Sequence, residues 1–433
     1  MLDSLTRWVM WAGLLLSAVI LAFGFRAGLL LLTVLGFGSA LVGLVHPRAG
    51  FFGVGLLCTL DPVMRVYLFT GGLFRWNLFN YLLLVAMVLA APRLIRRNDP
   101  HGRLLQVLLL VLILELAWSL DRTLGLLHIL AASIYFGVLR YLLPFAAAPN
   151  AWYCLGLING TVAAIGGAVF FLQQTSLPPI DANALSYFPL TGLLSCALAY
   201  RFVSNSRPRA RLLERLAIGN AYWVFLTGSR GGLLVALFGL GWLVAQLPGR
   251  RARLAFFGWV LLLGCLILLT FRDTGLSVAR LARSLDPSYT VSQRTSGRSE
   301  LVLAAWRVVR EHPLGIGTGS FQKTWARLSG DPASRGRYAR GLEKDTHSAW
   351  FKVLAENGFV GELVLLAFVF SFAAVGWMRR HQRRGALALG VLATGTLSLA
   401  FITTQFQGKG LWLLAASVAA LLHADDTDGP IGS

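Results

Sequence analysis

Long apolar runs recur along almost the whole chain, and they limit what this sequence can fold into more than any motif does. The chain has 433 residues, of which 56% are hydrophobic and only 13% charged, with a mean hydropathy of +0.66. An α-helix rises about 1.5 Å per residue, so roughly 20 apolar residues cross the ~30 Å hydrocarbon core of a membrane. The sequence therefore predicts an all-α polytopic integral membrane protein with about 12–14 transmembrane helices.

The predicted spans follow from these runs. They are Trp8–Phe23, Leu29–Val45, Leu78–Ala91, Leu104–Trp118, Leu124–Phe145, Trp152–Leu172, Ser186–Val203, Leu212–Leu226, Gly231–Leu247, Leu254–Phe271, Trp350–Trp377, Ala386–Ile402 and Leu411–Leu422. Phe51–Phe69 is a further candidate, but Asp61-Pro62 and Arg65 interrupt it. That run forms a span, a re-entrant piece or a surface segment.

The net charge of +20 allows two interpretations, and the position of the charges decides between them. Nucleic-acid binding is one, but most Arg and Lys lie in short loops between apolar runs, where the positive-inside rule places them. The sequence thus predicts membrane lipids, and no nucleic acid, as partners of the chain. Four arginine clusters mark the cytoplasmic side: Arg93/Arg96/Arg97/Arg103, Arg207/Arg209/Arg211/Arg215, Arg250/Arg251/Arg253 and Arg379/Arg380/Arg383/Arg384.

One long polar segment interrupts the apolar runs and divides the chain into four predicted regions. Residues 1–271 and 347–423 are expected to form transmembrane helices, and residues 424–433 a disordered cytoplasmic tail. Between them, residues 272–346 are expected to form a helical periplasmic loop domain, because the arginine clusters occupy the other side. This segment carries thirteen Arg or Lys against seven Asp or Glu, which favours an anionic ligand.

Local patterns within this segment predict its structure. Apolar residues at helical spacing predict a helix over Ser299–Glu311, which His312-Pro313 ends. A second short helix is predicted around Phe321–Leu328, so the segment should form an α-helical cap over the membrane mouth. Glycine alternates with other residues over Gly315–Gly319, as in some phosphate-cradling loops. Because no strand precedes these glycines, a helix-ending turn is the favoured interpretation.

His347 stands where the polar segment meets the next apolar run, so its imidazole would be accessible from the outer face. A neutral imidazole can take a proton from a hydroxyl, whereas a protonated one can bind phosphate. An interfacial histidine that only caps the helix end is the alternative. The residue alone leaves these roles open.

Arginines near the predicted membrane border are candidates for anion binding. Arg230 lies in a glycine-containing outer turn, where its guanidinium needs water or an anion, although an ordinary hairpin turn is the alternative. Arg298 opens the predicted Ser299–Glu311 helix, and a salt bridge to Glu300 would also explain it. Arg272 and Lys344 are weaker candidates of the same kind.

Carboxylates offer a weaker pattern. Glu115 lies within an apolar run, where an acidic residue indicates either a functional site or pairing with a neighbouring helix. Glu343 and Asp345 flank a lysine just before His347, which is a poor metal-binding pattern. We therefore expect a metal-independent site without a cofactor, in which arginines carry the charge that a divalent cation carries elsewhere.

Three of these places together resemble the O-antigen ligase family of Gram-negative inner membranes. His347-Ser348, followed by nine residues and Gly358-x-x-Gly361, is similar to the family signature at the end of its large periplasmic loop. Arg298, in Gly-Arg-Ser-Glu, resembles the arginine of that loop, and Thr-Gly-Ser-Arg230-Gly-Gly resembles the arginine at the membrane border. The similarity is specific from roughly Ala221 to Val364.

The resemblance implies a fold and an activity. Such proteins are grouped with the C-type glycosyltransferases and transfer a polysaccharide from undecaprenyl pyrophosphate to the lipid A–core oligosaccharide. It implies catalytic roles for His347, Arg298 and Arg230, and a substrate-binding role for Gly358 and Gly361 of the signature. Arg272 and Lys344 are predicted to bind substrate from their position and charge alone.

Three alternatives to a ligase stay open. O-antigen polymerases share the donor and much of the layout, as do ligases that glycosylate protein serines. A membrane transporter is the alternative from another class, but the sequence has no paired repeat of interrupted spans.

Overall fold

The computed structural model describes residues 23–39, 100–130, 149–173, 182–203, 206–246, 286–290, 298–328 and 348–380, together with scattered positions between them. The predicted spans Leu78–Ala91 and Leu411–Leu422 and the tail 424–433 lie outside the described residues, as does most of Phe51–Phe69. Every regular element within the described ranges is a helix, which confirms the all-α expectation.

Ten helices are used below. They are α1 (Phe23–Ser39), α2 (Pro100–Glu115), α3 (122–130), α4 (Pro149–Gln173), α5 (Ala182–Val203), α6 (Arg207–Leu226), α7 (Arg230–Gln246), α8 (Arg298–Glu311), α9 (Phe321–Leu328) and α10 (Ala349–Met378). The bounds of α8 and α9 confirm both helices predicted for the polar segment.

Two of the described helices are long and apolar enough to cross a membrane. They are Trp152–Phe171 within α4 and Ala349–Met378, which is α10. Most of the α4 span is buried by other helices, whereas most of the α10 span is not. Shorter apolar helices accompany them over Phe23–Ser39, Gln106–Glu115, Leu185–Tyr200 and Arg230–Ala245.

Helices α4, α5 and α6 form a closely packed group. Gly156 lets α4 approach α5, because a Cβ atom there would lie 2.4 Å from the Cβ of Ala199. Buried amides add polar links between the helices. Asn159 Nδ2 donates to Ser195 Oγ over 3.1 Å, and Asn220 Nδ2 donates to the Gly160 carbonyl over 2.9 Å. In an apolar environment such bonds pair amide N–H groups that would be costly to bury alone.

A second group joins α2, α8, α9 and α10. The buried face of α8 carries its apolar residues at helical spacing and packs with α9 and the start of α10. The shared core consists of Leu301, Ala304, Ala305, Val308, Ile316, Phe321, Trp325 and Ala355, with Phe351 against it. The predicted cap helices therefore pack directly on the helix that follows His347.

Helix α10 is interrupted near its start, at Gly358, and the sequence did not predict this break. Gly358 has φ 60° and ψ −161°, a conformation that residues with a Cβ rarely adopt. Residues on both sides are helical, so the predicted Trp350–Trp377 span is one apolar segment with a kink near its start.

Candidate functional site

The predicted site residues fall into two sets. Arg230 and Arg298 are the first residues of α7 and α8, and Gly358 and Gly361 lie at the kink of α10. His347, Arg272 and Lys344 lie outside the described residues. Ser348, directly after His347, is buried and forms the N-cap position of α10.

Local hydrogen bonds hold the turn that carries Arg230. Thr227 Oγ1 donates to the Val224 carbonyl over 2.7 Å and accepts from the Ser229 amide over 3.3 Å. Ser229 Oγ in turn accepts from the Gly232 amide over 2.9 Å, which caps the start of α7. The turn is therefore held from both sides, and the Arg230 side chain starts from a defined position.

Arg230 reaches from this turn to the polar segment. Its guanidinium Nη1 donates a hydrogen bond to the backbone carbonyl of Arg294. Arg294 lies four residues before Arg298, the first residue of α8. The side chains of Arg230 and Arg298 are half-buried. The structure thus joins the α7 turn to Arg294, which is close to Arg298 in the sequence.

The glycine-rich turn between α8 and α9 docks on the kink of α10. The amides of Ile316 and Gly317 donate to the carbonyls of Ala355 and Glu356 over 3.2 and 2.9 Å. Those carbonyls are available because Gly358 interrupts the helix. A phosphate cradle needs amides that point to a ligand, whereas these amides are bonded within the protein. The favoured interpretation of this stretch as a structural turn is therefore supported.

Close backbone approach explains two of the glycines at this junction. A Cβ atom on Gly315 would lie 2.2 Å from the Glu356 carbonyl oxygen, and one on Gly358 would lie 2.3 Å from the Pro313 carbonyl oxygen. Both residues also have positive φ, 84° and 60°. The amide of Phe359 donates to that same Pro313 carbonyl over 3.0 Å. Gly358 thus lies in contact with backbone, and a substrate-binding role for it stays a prediction.

Glu356 is a buried carboxylate at the centre of the junction. Its Oε2 accepts from the Gly319 amide over 2.9 Å, and its Oε1 accepts from the Phe321 amide over 3.0 Å. Two further side chains lie near it, because Lys352 Nζ is 3.9 Å from Oε1 and His128 Nδ1 is 4.0 Å from Oε2. A carboxylate at the N-terminus of α9 also suits the positive end of the helix dipole.

Glu115 is the second buried carboxylate of the junction. Its Oε2 accepts a hydrogen bond from Asn357 Nδ2 and one from Thr318 Oγ1, the latter over 3.4 Å. Ser119 Oγ donates to the Thr318 carbonyl over 2.8 Å, which ties the same turn to the end of α2. Of the two interpretations open for Glu115, the structure shows the pairing with a neighbouring helix.

An ion pair holds the outer edge of the junction. Lys323 Nζ of α9 lies 2.8 Å from Asp121 Oδ2, and the Leu124 amide donates to Asp121 Oδ1 over 3.0 Å at the start of α3. Partial burial raises the pKa of Asp121, but the hydrogen bonds from Lys323 and Leu124 and the lysine charge outweigh it. The pKa of Asp121 therefore lies below its usual value.

Several residues of this junction were not identified from the sequence. Glu356 and Asn357 lie in the apolar run Trp350–Trp377, and an acidic residue in such a run is the same signal that drew attention to Glu115. Thr318 and Ser119 gave no signal. Within the described ranges, no group of three or more His, Cys, Asp or Glu side chains is arranged to hold a metal ion. Glu343 and Asp345 lie outside those ranges.

These features define a helical protein with segments able to cross a membrane and a polar junction where the turn between α8 and α9 meets one of them. Residues 216–366 match the family model described as O-antigen ligase. This region is thus similar to the O-antigen ligase domain, in agreement with the resemblance in its sequence. The family is membrane-associated, and its members are glycosyltransferase-like ligases or polymerases. No curated protein and no solved structure matches the chain.

Proposed function

We propose that the chain is an O-antigen ligase of the bacterial inner membrane. It transfers a polysaccharide from undecaprenyl pyrophosphate to the lipid A–core oligosaccharide on the periplasmic face. The matched region 216–366 includes all three residues assigned to catalysis, Arg230, Arg298 and His347. The observation that carries the proposal is the hydrogen bond from Arg230 to the Arg294 carbonyl, because it joins the turn and the cap segment that bear the two arginines.

The proposed setting is a polytopic protein of the C-type glycosyltransferase kind, with about 12–14 transmembrane helices. The apolar spans hold the polyprenyl chain of the donor, and the four arginine clusters face the cytoplasm. Residues 272–346 then form a periplasmic cap, which leaves room for long glycans on both substrates. The two helices that are long enough to cross a membrane support this setting.

The proposed reaction is a direct displacement that inverts the anomeric carbon. A hydroxyl of the acceptor attacks that carbon, and the bond to the pyrophosphate oxygen breaks with its electron pair going to the leaving group. The hydroxyl proton passes to the neutral imidazole of His347, which acts as general base. Arg230 and Arg298 stabilise the charge that develops on the pyrophosphate, since planar guanidinium groups match phosphate oxygens with paired hydrogen bonds.

The remaining assignments concern substrate binding. Arg272 and Lys344 add positive charge for the pyrophosphate, and Gly358 and Gly361 shape the start of the helix that follows His347. No metal ion or cofactor takes part in this proposal, because the arginines supply the positive charge. His347 as a phosphate-binding imidazolium is the alternative role, and it reverses the expected pH dependence.

A transfer assay with two acceptors tests the proposal. Purified chain in lipid nanodiscs is given an undecaprenyl-pyrophosphate glycan with either lipid A–core or a second polyprenyl-linked glycan. The proposal predicts glycosylated lipid A–core and no elongated polyprenyl glycan. Elongation of the polyprenyl glycan would identify a polymerase instead. Transfer to a serine-containing protein would identify a protein ligase, and passage of the lipid across sealed proteoliposomes without transfer would identify a transporter.

A further inference from the structure

The Glu356 carboxylate joins two elements that carry different parts of the proposed site. Both of its oxygens accept backbone amides of the turn before α9, from Gly319 and Phe321. The side chain itself belongs to α10, which begins directly after Ser348. One buried group therefore connects the helix that follows His347 with the cap.

Backbone hydrogen bonds beside this contact also hold the turn before α9 on α10. Ile316 and Gly317 donate to α10 carbonyls, and Phe359 donates back to Pro313 in the turn. The turn leads from the end of α8, whose first residue is Arg298. The apolar core of α8, α9 and α10 closes the other side of the junction. A shift of the turn along α10 would therefore move Arg298 relative to the start of α10.

The two amide donors explain why a carboxylate stands at this position. Each oxygen takes one amide, so both must accept at the same time. Lys352 and His128 face these oxygens at 3.9 and 4.0 Å. An amide side chain of the same shape has only one acceptor oxygen and would present an NH₂ group to a backbone N–H. A carboxylate is thus the side chain that satisfies both donors.

We propose that Glu356 is a positioning residue for glycan transfer, which fixes the arginine at the start of α8 relative to the histidine that precedes α10. The proposal rests on the function given above, because it assumes that Arg298 and His347 act on the same substrates. Glu356 touches neither substrate. It acts by holding the turn before α9 against the kink at Gly358.

Three variants separate this role from a direct one. Glu356→Gln keeps the shape but loses one acceptor. Glu356→Asp keeps the charge but is one methylene too short to reach both amides. Glu362→Gln is the matched control on the same helix, because its buried Oε2 has no hydrogen-bond partner within the described part of the chain. Each variant is reconstituted in nanodiscs, and transfer kinetics, the pH–rate profile and amide exchange over residues 313–328 are measured.

We expect Glu356→Gln and Glu356→Asp to lower kcat by about 10²-fold, the usual effect of a ~1 Å misplacement in a catalytic site. KM for the donor should change little, because both arginines remain. The pH–rate profile should keep its midpoint, since Glu356 neither gives nor takes the proton. Exchange should become faster at Gly319 and Phe321, while Glu362→Gln should match the unmodified chain in every measurement.

Other outcomes would overturn the proposal. Faster exchange with normal kcat would show that the contact holds the turn without affecting the reaction. Lost activity with unchanged exchange, or a displaced pH midpoint, would make Glu356 a direct participant. Unchanged exchange in Glu356→Gln would show that Glu356 does not hold the turn before α9, even if the unmodified chain transfers no glycan. Absence of glycan transfer by the unmodified chain would instead contradict the proposed function, and it would be seen before any variant is made.

Discussion

The side-chain amide of Asn357 donates a hydrogen bond to the carboxylate of Glu115, which lies 242 residues earlier in the chain. Both side chains are buried, at 2% and 3% exposure. The neighbouring residue Glu356 accepts from the turn before α9. Asn357 Nδ2 also donates to Thr318 Oγ1 over 2.9 Å, so these two consecutive residues of α10 together bind both α2 and the turn before α9. The kink at Gly358 lies immediately after this pair and is where these contacts meet.

The pair should be coupled in stability. Asn357→Leu leaves the Glu115 carboxylate buried without its amide donor, so it should cost roughly 1–3 kcal/mol of unfolding free energy. The double variant with Glu115→Leu should lose less than the sum of the two single losses, by roughly 0.5–3 kcal/mol. Unfolding in detergent of the unmodified chain, the two single variants and the double variant gives the four free energies of this double-mutant cycle. Additive losses would contradict the contact. Ser371→Ala serves as control, because that hydroxyl bonds within its own helix, to Phe368.

Gly315 should not tolerate a side chain. Gly315→Ala places a Cβ 2.2 Å from the Glu356 carbonyl oxygen at a φ of 84°. The backbone strain alone is worth about 1–3 kcal/mol, so the melting temperature in detergent should fall clearly. Gly241→Ala is the control, because nothing lies within 4 Å of a Cβ there. In a helix that change stabilises by up to about 1 kcal/mol. Equal melting temperatures for the two variants would refute the docked turn.

Helices α8 and α9 could be predicted because their apolar residues recur at helical spacing and a His-Pro pair ends the first. Glu115 could be singled out because a carboxylate in an apolar run is rare. The partners could not be found in the same way. Glu356 bonds to the backbone amides of Gly319 and Phe321, and an amide group is present at every residue except proline. Only the docking of the turn on the kink selects these two, and nothing local encodes that docking.

The Gly358 kink was missed for a related reason. Glycine is common in membrane helices and often continues them, so its presence in an apolar run does not predict a break. The break becomes visible only once Pro313 is seen to occupy the space that a side chain would need. By contrast, the Arg230 turn was identified because Gly228 and the polar residues around it interrupt two apolar runs.

The two arginines should not be replaceable by lysine. Arg230→Lys and Arg298→Lys keep the charge but lose the planar fork that matches pyrophosphate oxygens. Each should lower the transfer rate by about 10²–10³-fold, the usual cost of one preorganised charge-stabilising donor. Arg310→Lys is the matched control, since Arg310 lies on the exposed face of α8 beside Trp306. Near-normal rates for both site variants would leave these arginines with structural roles.

The role of His347 can be read from the pH dependence of the rate. As a general base it must be neutral, so the rate at saturating acceptor should fall as pH drops through the imidazole titration, near ~6.5 when unperturbed. As a phosphate binder it must be charged, and the rate should fall as pH rises. His347→Ala should lose roughly 10²–10⁴-fold in rate. A flat profile together with an active alanine variant would leave His347 as a helix-entry residue without a part in the reaction.

The most direct test measures both products of one reaction. Purified chain receives undecaprenyl-pyrophosphate glycan and lipid A–core in the presence of a strong chelator, and free undecaprenyl pyrophosphate and glycosylated core are quantified together. The account predicts that the two appear in equal amounts and that the chelator does not slow them. Glycosylated core without released undecaprenyl pyrophosphate would contradict the proposed displacement. Activity that disappears with the chelator and returns with Mg²⁺ or Mn²⁺ would contradict the arginine-based site.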